Sequence, residues 1–177
     1  MTLLEIMKHR RSVRKYTGET IPEEQLQQIL AAALLAPSGR ARQPWEFVVV
    51  RDKETLSKLS KAREHGAEML AGADCAVVVF GDENKTDVWT EDCCNAMAHM
   101  YLMASSLGVG CCWIQGRLRK TAEGIMTEDY IRELLDVPAN YRLEAIMSLG
   151  MPVETPAPYE LESLPWNKIH SEKFRQE

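Results

Sequence analysis

The sequence predicts an α+β (mixed α/β) domain, a sheet of four or five strands flanked by helices on both faces. Two runs carry the sheet. Trp45–Val50 (WEFVVV) and Cys75–Phe80 (CAVVVF) are short, rich in β-branched residues and apolar on both faces, as strands in the middle of a layered structure are. The helices are read from apolar residues recurring at 3.6-residue spacing in the segments around those runs. At 177 residues, 45% apolar and 27% charged, the chain suits one domain with one core.

Taken in order, Thr2 is placed to cap a short helix over Leu3–His9, and Pro22 opens a second. There Leu26, Ile29, Leu30, Ala33 and Leu34 make one apolar stripe that ends at Pro37. A helix of about Lys53–Leu70 joins the first two strands. Thr90, Glu91 and Asp92 supply a cap and first-turn acids for a long helix to Leu107, stopped by Gly108. It is apolar around nearly its whole circumference, which suits a central helix or one buried at a subunit interface. Val109–Gln115 reads as a third strand, Thr127–Leu135 as a helix and Leu143–Leu149 as a fourth strand. The proline-bearing stretch from Pro152 to Pro165 reads as an extended tail.

Composition narrows the function. Lys and Arg number 21 against 26 Asp and Glu, a net charge of −5, which is not the balance of a general nucleic-acid binder. The longest apolar run, Ile29–Ala36, is eight residues, too short for a membrane span. The first residues do not follow a signal peptide's order of charge then apolar stretch, so a cytoplasmic protein is expected. Five cysteines, Cys75, Cys93, Cys94, Cys111 and Cys112, form no disulfide framework and no metal-ligand spacing; among apolar neighbours they read as packing residues. The four histidines make no metal or triad pattern. Tyr16, Met97 and Tyr101 read as core.

Three segments point to chemistry. Arg10, Arg11, Ser12, Val13 and Arg14 put three guanidinium groups within five residues; Arg10 and Arg14 converge in a helix, and in a strand they share a face with Ser12. That set suits a phosphate, which guanidinium matches bidentately, although a solvated basic edge has the same spacing. Ala36–Phe47 (APSGRARQPWEF) runs from a helix end through a Pro, Ser and Gly loop into a strand. Ser105–Arg117 (SSLGVGCCWIQGR) leaves the long helix and ends a strand at Gln115 and Gly116.

In this order and spacing, with Leu149, Gly150 and Pro152 after them, these segments resemble the nitroreductase family of flavin-dependent oxidoreductases. The resemblance spans about residues 1 to 152, with a weaker echo from Lys168 to Phe174. It implies a mainly antiparallel sheet, one nitroreductase-like domain over residues 1–177, and a homodimer with FMN at the subunit interface. Residues 152–177 would be a tail wrapping the partner. Arg10, Arg11 and Ser12 look like phosphate and ribityl contacts, with Arg14 near the ribityl chain or the pyrimidine edge. Pro37, Ser38 and Gly39 would come from the partner subunit. The backbone at Gln115 and Gly116 is similar to the segment beside flavin N5 and O4, with Trp113 and Ile114 against the ring.

The activity so implied is hydride transfer from NAD(P)H through flavin N5 to a small-molecule acceptor, a nitroaromatic, quinone or similar compound, by a ping-pong mechanism. No side chain is assigned catalysis, and no metal is expected. Relatives of the same fold acting on enones, halogenated aromatics or flavin give a second reading, and a non-enzymatic flavin or thiol sensor a third. Two positions depart from the pattern. Ala41 stands where the family has Asn, which shifts the polar role to Arg40, Arg42 or Gln43. Glu154–Glu162 offers no counterpart to a late basic residue, so phosphate binding leans on Arg10 and Arg11.

Overall fold

In the computed structural model, which describes residues 1–174, the Thr2 side chain accepts from the Glu5 N–H and starts α1 (Leu3–His9). α2 (Glu23–Leu34) follows Pro22 and buries Leu26, Ile29, Ala32 and Ala33. Leu30 packs against the same core, but Leu34, expected on the buried stripe, is 60% exposed. Four strands, β1 (Trp45–Val50), β2 (Cys75–Asp82), β3 (Gly110–Gln115) and β4 (Tyr141–Gly150), form one sheet. Their order is β1-β2-β4-β3 and every pairing is antiparallel. β1 and β3 are therefore the edge strands, which corrects the expectation that Trp45–Val50 lies in the middle of the sheet: Glu46 and Val49 are exposed. Ser12 makes a parallel bridge to Cys111, and the Val13 N–H donates to the Cys111 carbonyl at 2.9 Å, the start of a fifth strand on the β3 edge.

The sheet divides the interior into two apolar clusters, which corrects the expectation of one core. The cause lies in β2. Cys75, Val77 and Val79 face one side, where α2 and α4 (Trp89–Ser106) cover them; Ala76, Val78 and Phe80 face the other, under α3 (Lys53–Leu59) and α5 (Thr127–Leu134). A strand apolar on both faces needs cover on both, and each fully buried Leu, Ile or Phe contributes roughly 1.5–3 kcal/mol.

Two helices differ from expectation. α3 ends at Leu59 rather than near Leu70, and a 3-10 turn over Glu68–Gly72 follows. The helix closes at Ser60, and Gly66, at φ +85°, turns the chain further on, its N–H held by the Glu68 carboxylate at 2.9 Å. The turn lets Leu59, Ala62, Ala67 and Leu70 all face the second cluster. α4 begins one residue earlier than Thr90, after Val88, with no side-chain cap. The Thr86 hydroxyl accepts from the Val88 N–H instead, and Asp92 turns to a different loop. The helix closes with the Val109 N–H on the Ala104 carbonyl at 2.9 Å.

After β4 the chain runs back over its own N-terminal segment. Tyr16 bridges Pro152, and the Tyr159 N–H donates to the Lys8 carbonyl at 3.0 Å. Short 3-10 turns follow at Leu161–Ser163 and Trp166–Lys168. Among the described residues no helix is long and apolar enough to cross a membrane.

Candidate flavin site

The site starts where α1 ends. Arg10 is the C-cap of α1, and from there the chain is extended beside β3. Val13 turns into the interior and is 6% exposed. Ser12, on the opposite face, places its Oγ 2.7 Å from Tyr101 Oη on α4, and the Arg10 guanidinium sits 4.6 Å from the centroid of that same ring. Burial pushes the Cys112 thiol up, while Arg14, Ser12 and Arg10 together pull it back down. The three residues therefore converge on the start of β3. Among the described residues Arg10 and Arg14 have no carboxylate partner.

Arg11 points elsewhere. Its Nη1 donates to the Ala157 carbonyl and its guanidinium lies 4.4 Å from the Tyr159 ring centroid. Of the expected phosphate contacts it is the one occupied in holding the tail.

At the other end of β3, Glu144 occupies a bulge. On β2, Val79 pairs with Ala145 and Phe80 with Leu143, so Glu144 is the extra residue. Its carbonyl accepts from three donors, the N–H groups of Gly116 (3.1 Å) and Arg117 (2.9 Å) and Gln115 Nε2 (3.2 Å). A bulge that re-aims groups at a sheet rim is common beside active sites. The Glu144 side chain is 3% exposed; its Oε1 accepts from Gln115 Nε2 at 3.1 Å and from the Cys94 thiol, while Oε2 has no partner. Gln115 is fixed from its other end by Trp113 Nε1, which donates to Gln115 Oε1 at 2.9 Å.

The ladder decides which backbone groups are free. Because the Gly116 N–H donates to Glu144, the alternating antiparallel pattern turns the N–H groups of Cys112, Ile114 and Gly116 inward to β4. Those of Trp113 and Gln115 face the open edge. Of the two residues expected beside the cofactor, Gly116 thus spends its N–H on β4 while that of Gln115 faces the edge. Gly116 has a packing role: a Cβ there would lie 2.5 Å from Leu143 Cδ2. The Ile114 side chain is 1% exposed and belongs to the second cluster, whereas Trp113 packs against the first.

The loop after α2 stands apart. Ser38 Oγ accepts from the Gln43 N–H at 3.0 Å, and the Gly39 N–H donates to Asp92 Oδ1 at 2.9 Å. Asp92 is 3% exposed and its Oδ2 has no partner. Pro37 is exposed, and Arg40, Ala41 and Gln43 all have positive φ, near +50°. Arg42, one of the three residues expected to take over the polar role at Ala41, donates to the Lys85 carbonyl. Asp92 and Tyr101 are nine residues apart on one helix, about 13.5 Å at 1.5 Å per residue. The loop meets α4 in its first turn and the arginine cluster meets it beyond its middle, so the two stand apart along the helix within one chain.

Sequence reasoning passes over two of these residues and misassigns a third. Tyr101 reads as packing, and Glu144 is a single acid inside an apolar segment. Asp92 is read as a first-turn acid of α4, a signal that points to the helix itself and not to the loop it holds. All five cysteines are free, and burial drives every thiol upward, Cys94 to about 11 and Cys75 to about 12. Among the described residues no three His, Cys, Asp or Glu groups are placed to hold a metal ion.

The fold is an α+β domain in which, among the described residues, two guanidinium groups without an acid partner stand along the same sheet edge as the outward N–H groups of β3. The nitroreductase family model matches residues 7–65 and 60–151, and the chain belongs to that family. It is 37% identical over 176 residues to a protein of Archaeoglobus fulgidus whose provisional name is NADH dehydrogenase/NAD(P)H nitroreductase, covering 97% of this chain and 98% of that one. It is similar to the structure of an FMN-dependent nitroreductase from Clostridium difficile R20291, with a TM-score of 0.94 and 42% identity over 97% of this chain and 99% of the other. An iodotyrosine deiodinase of Haliscomenobacter hydrossis is 26% identical over 180 residues, 85% of this chain and 79% of that protein.

Proposed function

We propose that the protein is an FMN-dependent oxidoreductase using NAD(P)H. The observation that carries this reading is the convergence of Arg10, Ser12 and Arg14 beside the outward N–H groups of Trp113 and Gln115. The residues fit the cofactor's two ends. Among the described residues Arg10 and Arg14 are cations without an acid to neutralise them, and they would hold the phosphate and the chain beside it. Ser12 adds a hydroxyl already oriented by Tyr101. The Gln115 N–H is a donor fixed by the sheet, of the kind that orients a ring nitrogen or carbonyl. When bound, FMN would supply hydride chemistry between NAD(P)H and a nitroaromatic, quinone or similar acceptor, in ping-pong order.

The protein's own task is then to bind, orient and exclude water. No side-chain nucleophile is required. Trp113, tied to Gln115 and half-buried, gives the ring an apolar wall. The thiol-sensor reading is disfavoured, because reactive thiols need a lowered pKa and these five are raised. A homodimer completes the site: Pro37, Ser38 and Gly39 of the partner subunit would approach the arginine cluster, which their own chain's loop does not reach. An apolar hollow of about 420 Å³ between α1, α2 and α4, lined by Leu3, Ile6, Leu35, Leu102 and Met103, is the face a second copy would cover. The deiodinase relative supports a second reading, in which the same cofactor serves a halogenated aromatic.

Anaerobic mixing of the FMN-loaded protein with NADH or NADPH should bleach the flavin absorbance, and steady-state plots at fixed nicotinamide concentrations should be parallel. A protein that carries FMN yet is bleached by neither donor overturns the reading.

A further inference from the structure

Immediately beyond Gly116 the chain builds a second cavity, of about 330 Å³. Its apolar walls are Trp89, Leu118 and Met126. Leu118 is held at φ +58° and is 67% exposed, an unusual backbone state for a branched residue at the mouth of a cavity. The Arg117 guanidinium lies 5.8 Å from the Trp89 ring centroid.

The charges inside are nearly all accounted for. Glu83 is paired with Arg142 at 3.3 Å. Glu128 is paired with Arg142 at 2.9 Å and with Arg132 at 3.0 Å, and Asp129 with Arg132 at 3.0 Å. The lining holds three acids and two cations, Arg142 and Arg117, and Arg132 behind the wall offsets the third acid by pairing with Glu128 and Asp129. Arg117 has no carboxylate in contact among the described residues, so its guanidinium is open to an anion. A guanidinium spread beside an indole, its fork free for a carboxylate, over apolar walls in a volume suited to one or two rings, is a site for a planar acid.

We propose that this cavity binds an aromatic monocarboxylate, its ring against Trp89 and its carboxylate on Arg117. The Arg117 N–H shares the Glu144 carbonyl with the Gly116 N–H, so the cavity opens at the strand end where the acceptor is expected. It therefore selects acceptors that carry an anionic group, a step that rests on the function proposed above. Binding itself does not depend on that reading.

The test is calorimetric titration of the FMN-loaded protein with benzoate, and turnover of 4-nitrobenzoate against uncharged nitrobenzene. Arg117→Gln should weaken benzoate binding about ten- to a hundredfold and raise KM for 4-nitrobenzoate by a similar factor, leaving KM for nitrobenzene unchanged. Arg117→Lys should recover part of the affinity. Lys61→Gln, which removes a positive charge from an exposed position elsewhere, should change neither. Absence of saturable benzoate binding by the wild type, equal binding by Arg117→Gln, or an equal rise in KM for both nitro compounds overturns the proposal. Arg117-dependent benzoate binding in a protein that neither NADH nor NADPH bleaches keeps the site and rejects the oxidoreductase reading instead.

Discussion

Ser12 Oγ and Tyr101 Oη lie 2.7 Å apart, and this bond ties the extended segment after α1 to the middle of α4. It joins the arginine cluster to a helix anchored in the first apolar cluster, with Arg10 stacked on the same ring. The cluster is thereby positioned by the core.

Removing the hydroxyl tests that link. Tyr101→Phe keeps the ring under Arg10 and removes a bond worth about 0.5–1.5 kcal/mol, so FMN should bind about two- to tenfold more weakly. Arg10→Ala should weaken it about 10- to 150-fold, since a charge-assisted hydrogen bond is worth roughly 1.5–3 kcal/mol. Fluorescence titration of FMN into the apoprotein measures both. A lowered melting temperature with unchanged FMN affinity would make these residues structural.

Gly116→Ala should destabilise the protein by about 1–3 kcal/mol, the usual range for overpacking. Its Cβ would sit 2.5 Å from Leu143 Cδ2 and 2.9 Å from Cγ, and Leu143 is fully buried with nowhere to move. Urea denaturation reads the cost. Wild-type stability would mean that β4 slides at the Glu144 bulge to make room.

β2 is legible in the sequence because a β-branched run apolar on both faces has few alternatives, and β1 is found by the same signal although it lies at the edge of the sheet. The second apolar cluster follows from the same runs, yet one-domain reasoning misses it, because it counts buried area and not the side of a sheet on which that area falls. Gly66 is visible inside the helix expected over Lys53–Leu70; only the burial of residues on both sides of it shows that a turn wins there. The site is half legible. Arg10, Ser12 and Arg14 announce themselves by spacing, whereas Glu144 acquires its role from a bulge, and a bulge is a property of register between strands distant in sequence. The same holds for Gln115 over Gly116, since which N–H faces outward is set by the pairing with β4.

Stability should fall in alkali. Burial raises the Cys75 thiol from 9.0 to about 12, so the folded state keeps a proton that the unfolded state loses above pH 9. The stabilisation is complete below pH 9 and is lost as pH rises toward 12, at about 1.4 kcal/mol per pH unit for this thiol. Urea midpoints measured between pH 8 and 10.5 should decline, and Cys75→Ala should decline less steeply. Equal slopes would show that Cys75 titrates as it does in the unfolded chain.

The apolar face and the split site lead to one expectation. Leu3 and Leu35, which line the hollow over α4, and Leu4 and Met7 on α1 are between 45% and 79% exposed, an apolar face of the kind that marks an interaction surface. The loop at Pro37, Ser38 and Gly39 begins two residues past Leu35, so covering this face with a second copy carries each loop toward the other chain. Leu35→Glu places a charge in that interface without touching Arg10, Ser12, Arg14 or β3. The variant should sediment as a monomer, keep its far-ultraviolet circular dichroism and lose FMN, because the loop half of each site departs with the partner. Sedimentation at several protein concentrations, followed by a visible spectrum of the same sample, measures both. A monomer that retains FMN as tightly as the wild type would show that the arginine cluster and the β3 edge hold the cofactor alone, and would remove the second copy from the site.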